Sequence, residues 1–185
     1  MGKLVVTEFI TLDGVFEDPG GADTEYGGWA FKAQRGEAGD EFKGAELREA
    51  EAQLLGRVTY EGFAQAWPNM QVDWFGQKMN EMPKYVFSNT LESADWTNST
   101  VISGDLAEAV GGLKEQVAGN ILVAGSGQLV RGLLQADLVD DLRLMVFPIV
   151  VGQGRRLFDG APSSQLKLAE AGQAADTVTA VYTRR

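Results

Sequence analysis

The sequence predicts an α/β domain built on a mixed, mostly parallel sheet flanked by helices, with an antiparallel C-terminal edge. Three observations predict it. Strand-like apolar runs alternate with segments of helical period as far as Gln135. Two strand–glycine–helix junctions, Leu54-Leu55-Gly56-Arg57-Val58-Thr59 and Val123-Ala124-Gly125-Ser126-Gly127-Gln128, read as the crossovers of parallel strands. The last two strand-like runs have no helix between them and must pair antiparallel.

Residues 3–10 form the first expected strand, ended by the turn chemistry of Thr11-Leu12-Asp13-Gly14. A glycine-rich loop follows to about residue 39, long enough to cover or line a site. Asp40 then stands where an N-cap belongs, ahead of a helix from Phe42 to Ala52 rich in Glu, Ala, Leu and Lys. Ala52 to Gly56 reads as a short strand, and Arg57 to about Trp67 as a helix stopped by Pro68. A helix near 73–81 leads to a strand over Lys84 to Ser88, and a strand near Thr100 to Ser103 leads to a helix over Leu106 to Val117. Leu106, Val110, Leu113 and Val117 give that helix one apolar face. A strand over Asn120 to Ala124, the turn Gly125-Ser126-Gly127 and a helix from Gln128 to about Gln135 make the clearest unit. Alternation over Leu142 to Val146, then Gln165 to Glu170 and Thr177 to Thr183, completes the strands.

Composition narrows the chemistry. The 185 residues suit a single domain spanning 1–185, with 44% hydrophobic and 23% charged residues. A formal charge of −10 argues against nucleic acid and anionic membrane as partners. With no cysteine, disulfides, thiolate nucleophiles and cysteine-ligated metals are excluded. With no histidine, a Ser-His-Asp triad and a histidine base are excluded too, and no metal site is expected. Proton chemistry must then fall to carboxylates, Lys, Tyr or water. The longest apolar run, Leu144 to Val151, contains Pro148 and is far below the roughly 20 residues that cross a bilayer. No secretory leader is legible at the N-terminus, so a cytoplasmic location is expected.

Both glycine junctions place helix N-termini at strand ends, where free N–H groups and the dipole can hold phosphates and glycine permits close approach. Each can equally be a tight turn. Arg57 adds a fixed charge suited to phosphate, or is a surface arginine at a helix start. Ser88 and Asn89 end a strand where open α/β sheets meet ligands, or simply form a turn. Asp13 and Asp40 are the carboxylates placed to mediate a proton. Their ordinary roles are Asp-Gly turn residue and helix N-cap. Trp29 and Phe31 could stack on a flat heterocyclic substrate or anchor the long loop.

Taken in order, Thr11-Leu12-Asp13-Gly14, Leu55-Gly56-Arg57-Val58-Thr59-Tyr60-Glu61, Val86-Phe87-Ser88-Asn89, Gly125-Ser126-Gly127-Gln128-Leu129, Pro148-Ile149-Val150-Val151-Gly152-Gln153-Gly154 and Leu157-Phe158 carry a resemblance. They resemble dihydrofolate reductase, and specifically the reductase domain at the C-terminus of the bifunctional riboflavin-biosynthesis deaminase-reductase, over nearly the whole chain. Residues Gly36 to Gly39 depart from the dihydrofolate pattern, and no zinc-deaminase motif precedes them. The resemblance implies a three-layer fold on an eight- or nine-stranded sheet and an NADPH-dependent reductase. Hydride would pass to a C=N or C=O bond of a small heterocycle of riboflavin-pathway aminopyrimidine or pterin type. It assigns the cofactor phosphates to Gly56, Arg57 and Thr59, the 2′-phosphate to Ser88, and the pyrophosphate to Gly125, Ser126, Gly127, Gln128 and Leu129. Thr11, Leu12, Gly14, Asn89 and Ser103 join them as cofactor contacts. It also implies a homodimer to which Leu142 to Val151 contributes. Asp40, with Asp13 second, is the expected proton donor. The alternative is a non-catalytic nucleotide-binding or regulatory protein that retains the cofactor pocket.

Overall fold

A computed structural model describes residues 1–21, 23–70 and 73–185; the expected long loop includes residue 22, which lies outside this set. The strands are β1 (Lys3–Thr11), β2 (Ala50–Gly56), β3 (Lys84–Phe87), β4 (Ser99–Ile102), β5 (Asn120–Ala124), β6 (Asp141–Phe147), β7 (Leu166–Ala174) and β8 (Thr177–Arg184). The helices are α1 (Gly36–Glu49), α2 (Arg57–Ala66), α3 (Trp74–Glu81), α4 (Leu106–Gln116) and α5 (Gly127–Gln135). One eight-stranded sheet runs in the order β4-β3-β2-β5-β1-β6-β8-β7. All pairings from β4 to β6 are parallel, and β8 pairs antiparallel with both β6 and β7. The fold class read from the sequence holds.

Strand β1 shows how the layers form. Leu4, Val6 and Ile10 point to one face and pack with Ile121, Val123, Val110 and Leu113, and with Leu129, Val130 and Leu133 of α5. Val5, on the opposite face, packs with Leu47 of α1, Met79 and Leu122. Both faces of the central strands are covered, so their apolar runs are nearly continuous. Helices α3 and α4 are capped by Asp73 and Asp105, whose carboxylates accept from the first-turn amides.

Two expectations are corrected. Helix α1 starts at Gly36, so Asp40 lies inside the helix and is not its N-cap. Glycines 36 and 39 read as helix breakers, but packing overrides that preference. Gly39 is buried against Arg35 and Met145, where a Cβ would stand 2.7 Å from the Arg35 Cβ and 3.3 Å from the Met145 methyl. The Leu142 to Val151 region, expected to serve a dimer as a shared sheet or sheet edge, begins with Leu142 to Val146 inside the sheet and not at an edge. As part of β6 this stretch lies between β1 and β8, and the edge on that side is β7, whose side chains are mostly exposed.

Candidate functional site

The parallel strands all finish at one edge of the sheet. There the ends of β4, β3, β2 and β5 set Ser103, Ser88 and Asn89, Gly56 to Thr59, and Gly125 to Leu129 in a row. Ligands of open α/β sheets bind outside this carboxyl edge.

The two glycine junctions meet directly. The Gly56 amide donates to the Ser126 hydroxyl at 3.0 Å, and the Ser126 amide donates to the Thr59 hydroxyl at 2.9 Å. Ser126 is left-handed at φ 59, as is Gly125. Gly125 is needed on two counts, because a Cβ there would also stand 3.1 Å from the Thr59 methyl carbon. The size of Gly127 is dictated from inside the protein. The Phe16 ring occupies the place of its missing side chain, 2.0 Å from where a Cβ would be. Unlike α3 and α4, helices α2 and α5 carry no side-chain cap at Gly56 or Ser126. Their first amides therefore face the loop edge unsatisfied by any cap, which suits an anion.

The other expected cofactor contacts vary in freedom. Arg57 is half-exposed and holds both carboxylate oxygens of Glu61, one turn on, at 2.9 and 3.0 Å. The Ser88 hydroxyl accepts from the amides of Thr90 and Leu91, closing a turn. Asn89 ties that turn to the β4–α4 loop by accepting from the Gly104 amide at 2.7 Å. Ser103 and Gln128 are exposed, while Leu129 is buried in the core. Tyr60, within the same segment as Arg57, is structural: its hydroxyl accepts from the Trp96 amide at 2.9 Å.

Thr11 to Gly14 forms a knot with the 149–157 segment. The Thr11 hydroxyl donates to Asp13, and Asp13 also accepts from the amides of Val151 and Gly152. The Leu12 amide donates to the Ile149 carbonyl, and the Leu157 amide to the Gly14 carbonyl. The Thr11 hydroxyl, ahead of the two amides, holds the Asp13 carboxyl down to about 2. An acid that strong gives up its proton far below neutrality and is a poor donor to a substrate. Asp40 sits on the solvent side of α1, paired with Arg35 at 2.6 Å. Neither expected proton donor has a suitable setting. Trp29 is fully buried, edge-on to Phe147 at 5.4 Å with its indole N–H on the Glu17 carbonyl. It anchors the loop and presents no face for a ligand, whereas Phe31 is 81% exposed.

Sequence reasoning missed two buried polar residues at the middle of β1, Thr7 on the face toward α1 and Glu8 on the face toward α5. Thr7, Glu8 and Glu46 are each less than 5% exposed. The Thr7 hydroxyl donates to Glu46 at 2.8 Å, and the Lys43 ammonium reaches both Thr7 and Glu46. Register places Thr7 opposite Ala124, the last residue of β5, so Glu8 stands beside Gly125 of the glycine loop. One carboxylate oxygen of Glu8 and one of Glu46 have no partner. Burial raises the Glu8 carboxyl well above the usual carboxylate range, against the opposing pull of Lys43 and the Gly125 amide. The signal was present in the sequence as two polar residues interrupting an apolar central strand.

An open depression of about 530 Å³ lies elsewhere, between one face of α2 and the 93–97 segment, lined by Tyr60, Gln65, Asn80 and Trp96 among others. It contains neither glycine junction nor the buried polar residues of β1. Among the described residues no group of acidic side chains could hold a metal ion, and no helix is long and apolar enough to cross a membrane.

A family model described as the RibD C-terminal domain matches residues 2–180. The chain belongs to the RibD C-terminal domain family. Relatives within reach of sequence include the uncharacterized protein YyaP of Bacillus subtilis, 30% identical over 118 residues. That alignment takes in 60% of this chain and 61% of YyaP, so the chain spans about three fifths of this relative. Among solved structures, a Shewanella sp. PV-4 protein named for riboflavin biosynthesis superposes with a TM-score of 0.78 at 20% identity, covering 99% of each chain. Dihydrofolate reductase from Enterococcus faecalis, solved in complex with NADP(H), superposes with a TM-score of 0.60 at 14% identity, covering 99% of this chain and 96% of its own. At these identities the structures establish the RibD and dihydrofolate reductase type of fold.

Proposed function

We propose that this RibD-family chain is an NADP(H)-dependent reductase acting on a small heterocycle of aminopyrimidine or pterin type. The observation that carries the reading is the joining of two uncapped helix N-termini, α2 and α5, through Ser126 and Thr59 at the carboxyl edge of the sheet. The residues present fit a dinucleotide. Amides of Arg57, Val58 and Thr59 and of Gly127, Gln128 and Leu129 offer donors for the phosphates, with Arg57 able to turn from Glu61 toward them. The Ser88 hydroxyl still has its own proton to donate to a 2′-phosphate. A bound nicotinamide would supply the hydride, and the chain supplies position and electrostatics.

Support also comes from the family and from the NADP(H) complex of the similarly folded dihydrofolate reductase. The reading includes a homodimer through the exposed β7 edge, where Leu168 is 52% exposed. Sedimentation showing only a 20.0 kDa species at micromolar concentration would remove the dimer. The test of the function is calorimetric titration with NADPH, NADH and FMN, followed by NADPH oxidation with a panel of pterins and ribosyl- or ribityl-aminopyrimidines. NADPH binding with turnover of one panel member is expected. Binding without turnover of any would favour the non-catalytic nucleotide-binding alternative, and no binding of NADPH would end the proposal.

A further inference from the structure

Reduction of a C=N or C=O bond needs a proton as well as a hydride, and the chain has no histidine or cysteine to provide it. Asp13 is held ionised by Thr11 and two amides, and Asp40 is on the surface in an ion pair with Arg35. Glu8 differs from both. It is 4% exposed, sits one residue past the end of the β1–β5 ladder beside Gly125, and keeps one oxygen without any partner. A buried carboxyl oxygen left unpartnered is costly unless something comes to meet it.

Resting on the reductase reading above, we propose that Glu8 is the catalytic acid of this site, passing its proton to the substrate beside the glycine loop, with Lys43 and Glu46, on the opposite face of β1, acting on it only through their charges. A bound reduced nicotinamide would supply the hydride for a C–H bond at the carbon of the substrate's C=N, the π pair moving to nitrogen, which Glu8 then protonates. The O–H bond of Glu8 breaks, an N–H bond forms, and Glu8 is left as a carboxylate. That charge falls under the influence of the Lys43 ammonium, and solvent returns the proton. For a C=O substrate the oxygen takes the nitrogen's place.

The surroundings of Glu8 agree with this role. Desolvation in the core favours its protonated form, so that it holds a proton where an exposed carboxylate would not. From α1, Lys43 opposes that effect and Glu46 reinforces it. From β5 and its loop the Gly125 amide faces Glu8, and β6 sets apolar Leu144 alongside it. Lys43 is itself held by Thr7 and Glu46, which fixes the charge at a set distance from Glu8.

The experiment has two arms. Infrared difference spectra of the ligand-free protein over a pH series should show the stretch of a protonated carboxyl that persists near neutrality and is lost in Glu8→Gln. In steady state, kcat should fall as pH rises through the Glu8 titration. Glu8→Gln should lower kcat about a hundredfold or more with the NADPH Kd within twofold, and Glu8→Asp should restore part of it. Lys43→Gln should move the alkaline limb to higher pH, because the opposing charge is gone. A protein with no protonated carboxyl band near neutral pH, or a folded Glu8→Gln with wild-type kcat and pH profile, overturns the proposal. If wild type fails to bind NADPH, the reductase reading fails by that measurement, and the catalytic role falls with it, while the infrared arm separately decides whether Glu8 stores a proton. Should Glu8→Gln not fold, the wild-type band and the Lys43→Gln shift decide the matter.

Discussion

The amide of Ser126 donates to the hydroxyl of Thr59 across 67 residues of sequence, and this one bond locks the first turn of α2 to the first turn of α5. Ser126 stands just before α5, left-handed at φ 59, so its N–H has no carbonyl of its own helix to bond and Thr59 satisfies it. Thr59→Val keeps the shape but leaves the Ser126 amide without its acceptor. A loss of about 1–3 kcal/mol in urea unfolding is expected, with weaker NADPH binding in titration. Unchanged stability and affinity would show that the bond does not organise the edge.

Gly127 is small because Phe16 fills its side-chain space. Gly127→Val should therefore destabilise the protein by more than the ~1–3 kcal/mol of ordinary overpacking. Shrinking the ring should relieve it, so Gly127→Val with Phe16→Ala should be more stable than the sum of the two single losses. Strict additivity in a double-mutant cycle would rule out the contact as the reason for glycine.

Asp40→Asn removes only a surface ion pair with Arg35. Stability should change by less than about 1 kcal/mol, and turnover should stay at the wild-type level. A large fall in kcat would return Asp40 to the role that its place in the sequence suggested.

Asp13 contributes to acid stability. Its carboxyl titrates at about 2 in the fold, with the Thr11 hydroxyl the main cause, against about 3.9 in an unfolded chain. The folded form thus binds its proton later, so the contribution is present above about pH 4 and is lost as pH falls from there toward about 2. Unfolding free energies measured through that window should decline less steeply in Asp13→Asn. Parallel slopes for the two proteins would contradict the assignment.

Trp29 carries the long loop into the core against Phe147 and through its indole N–H to Glu17. Trp29→Ala should cost about 3–5 kcal/mol by chemical denaturation. If it acted on substrate instead, the variant would keep its melting temperature and show a raised KM.

Local pattern determined the order of elements. Short apolar runs at Lys3–Thr11 and Asn120–Ala124 and the helical period of Leu106, Val110 and Leu113 are properties of neighbouring residues, readable without knowing what they pack on. Gly56 and Gly125 to Gly127 also announced the edge where the junctions meet, because chain direction alone puts strand ends before helix starts. Tertiary structure decided what each side chain was for. Gly39 looks like a helix breaker until its contact with Met145 is known, and Asp40 like a cap until α1 is seen to begin at Gly36. Asp13 became a locked anion only when Val151 and Gly152, remote in sequence, brought their amides to it. Glu8 reads as a charged residue misplaced in a strand. Its burial beside Gly125 and Leu144, with the Lys43 charge on the far face of the strand, depends on β5, β1 and β6 lying side by side, and desolvation, which sets the chemistry of a carboxyl, is a property of that arrangement and of no single segment.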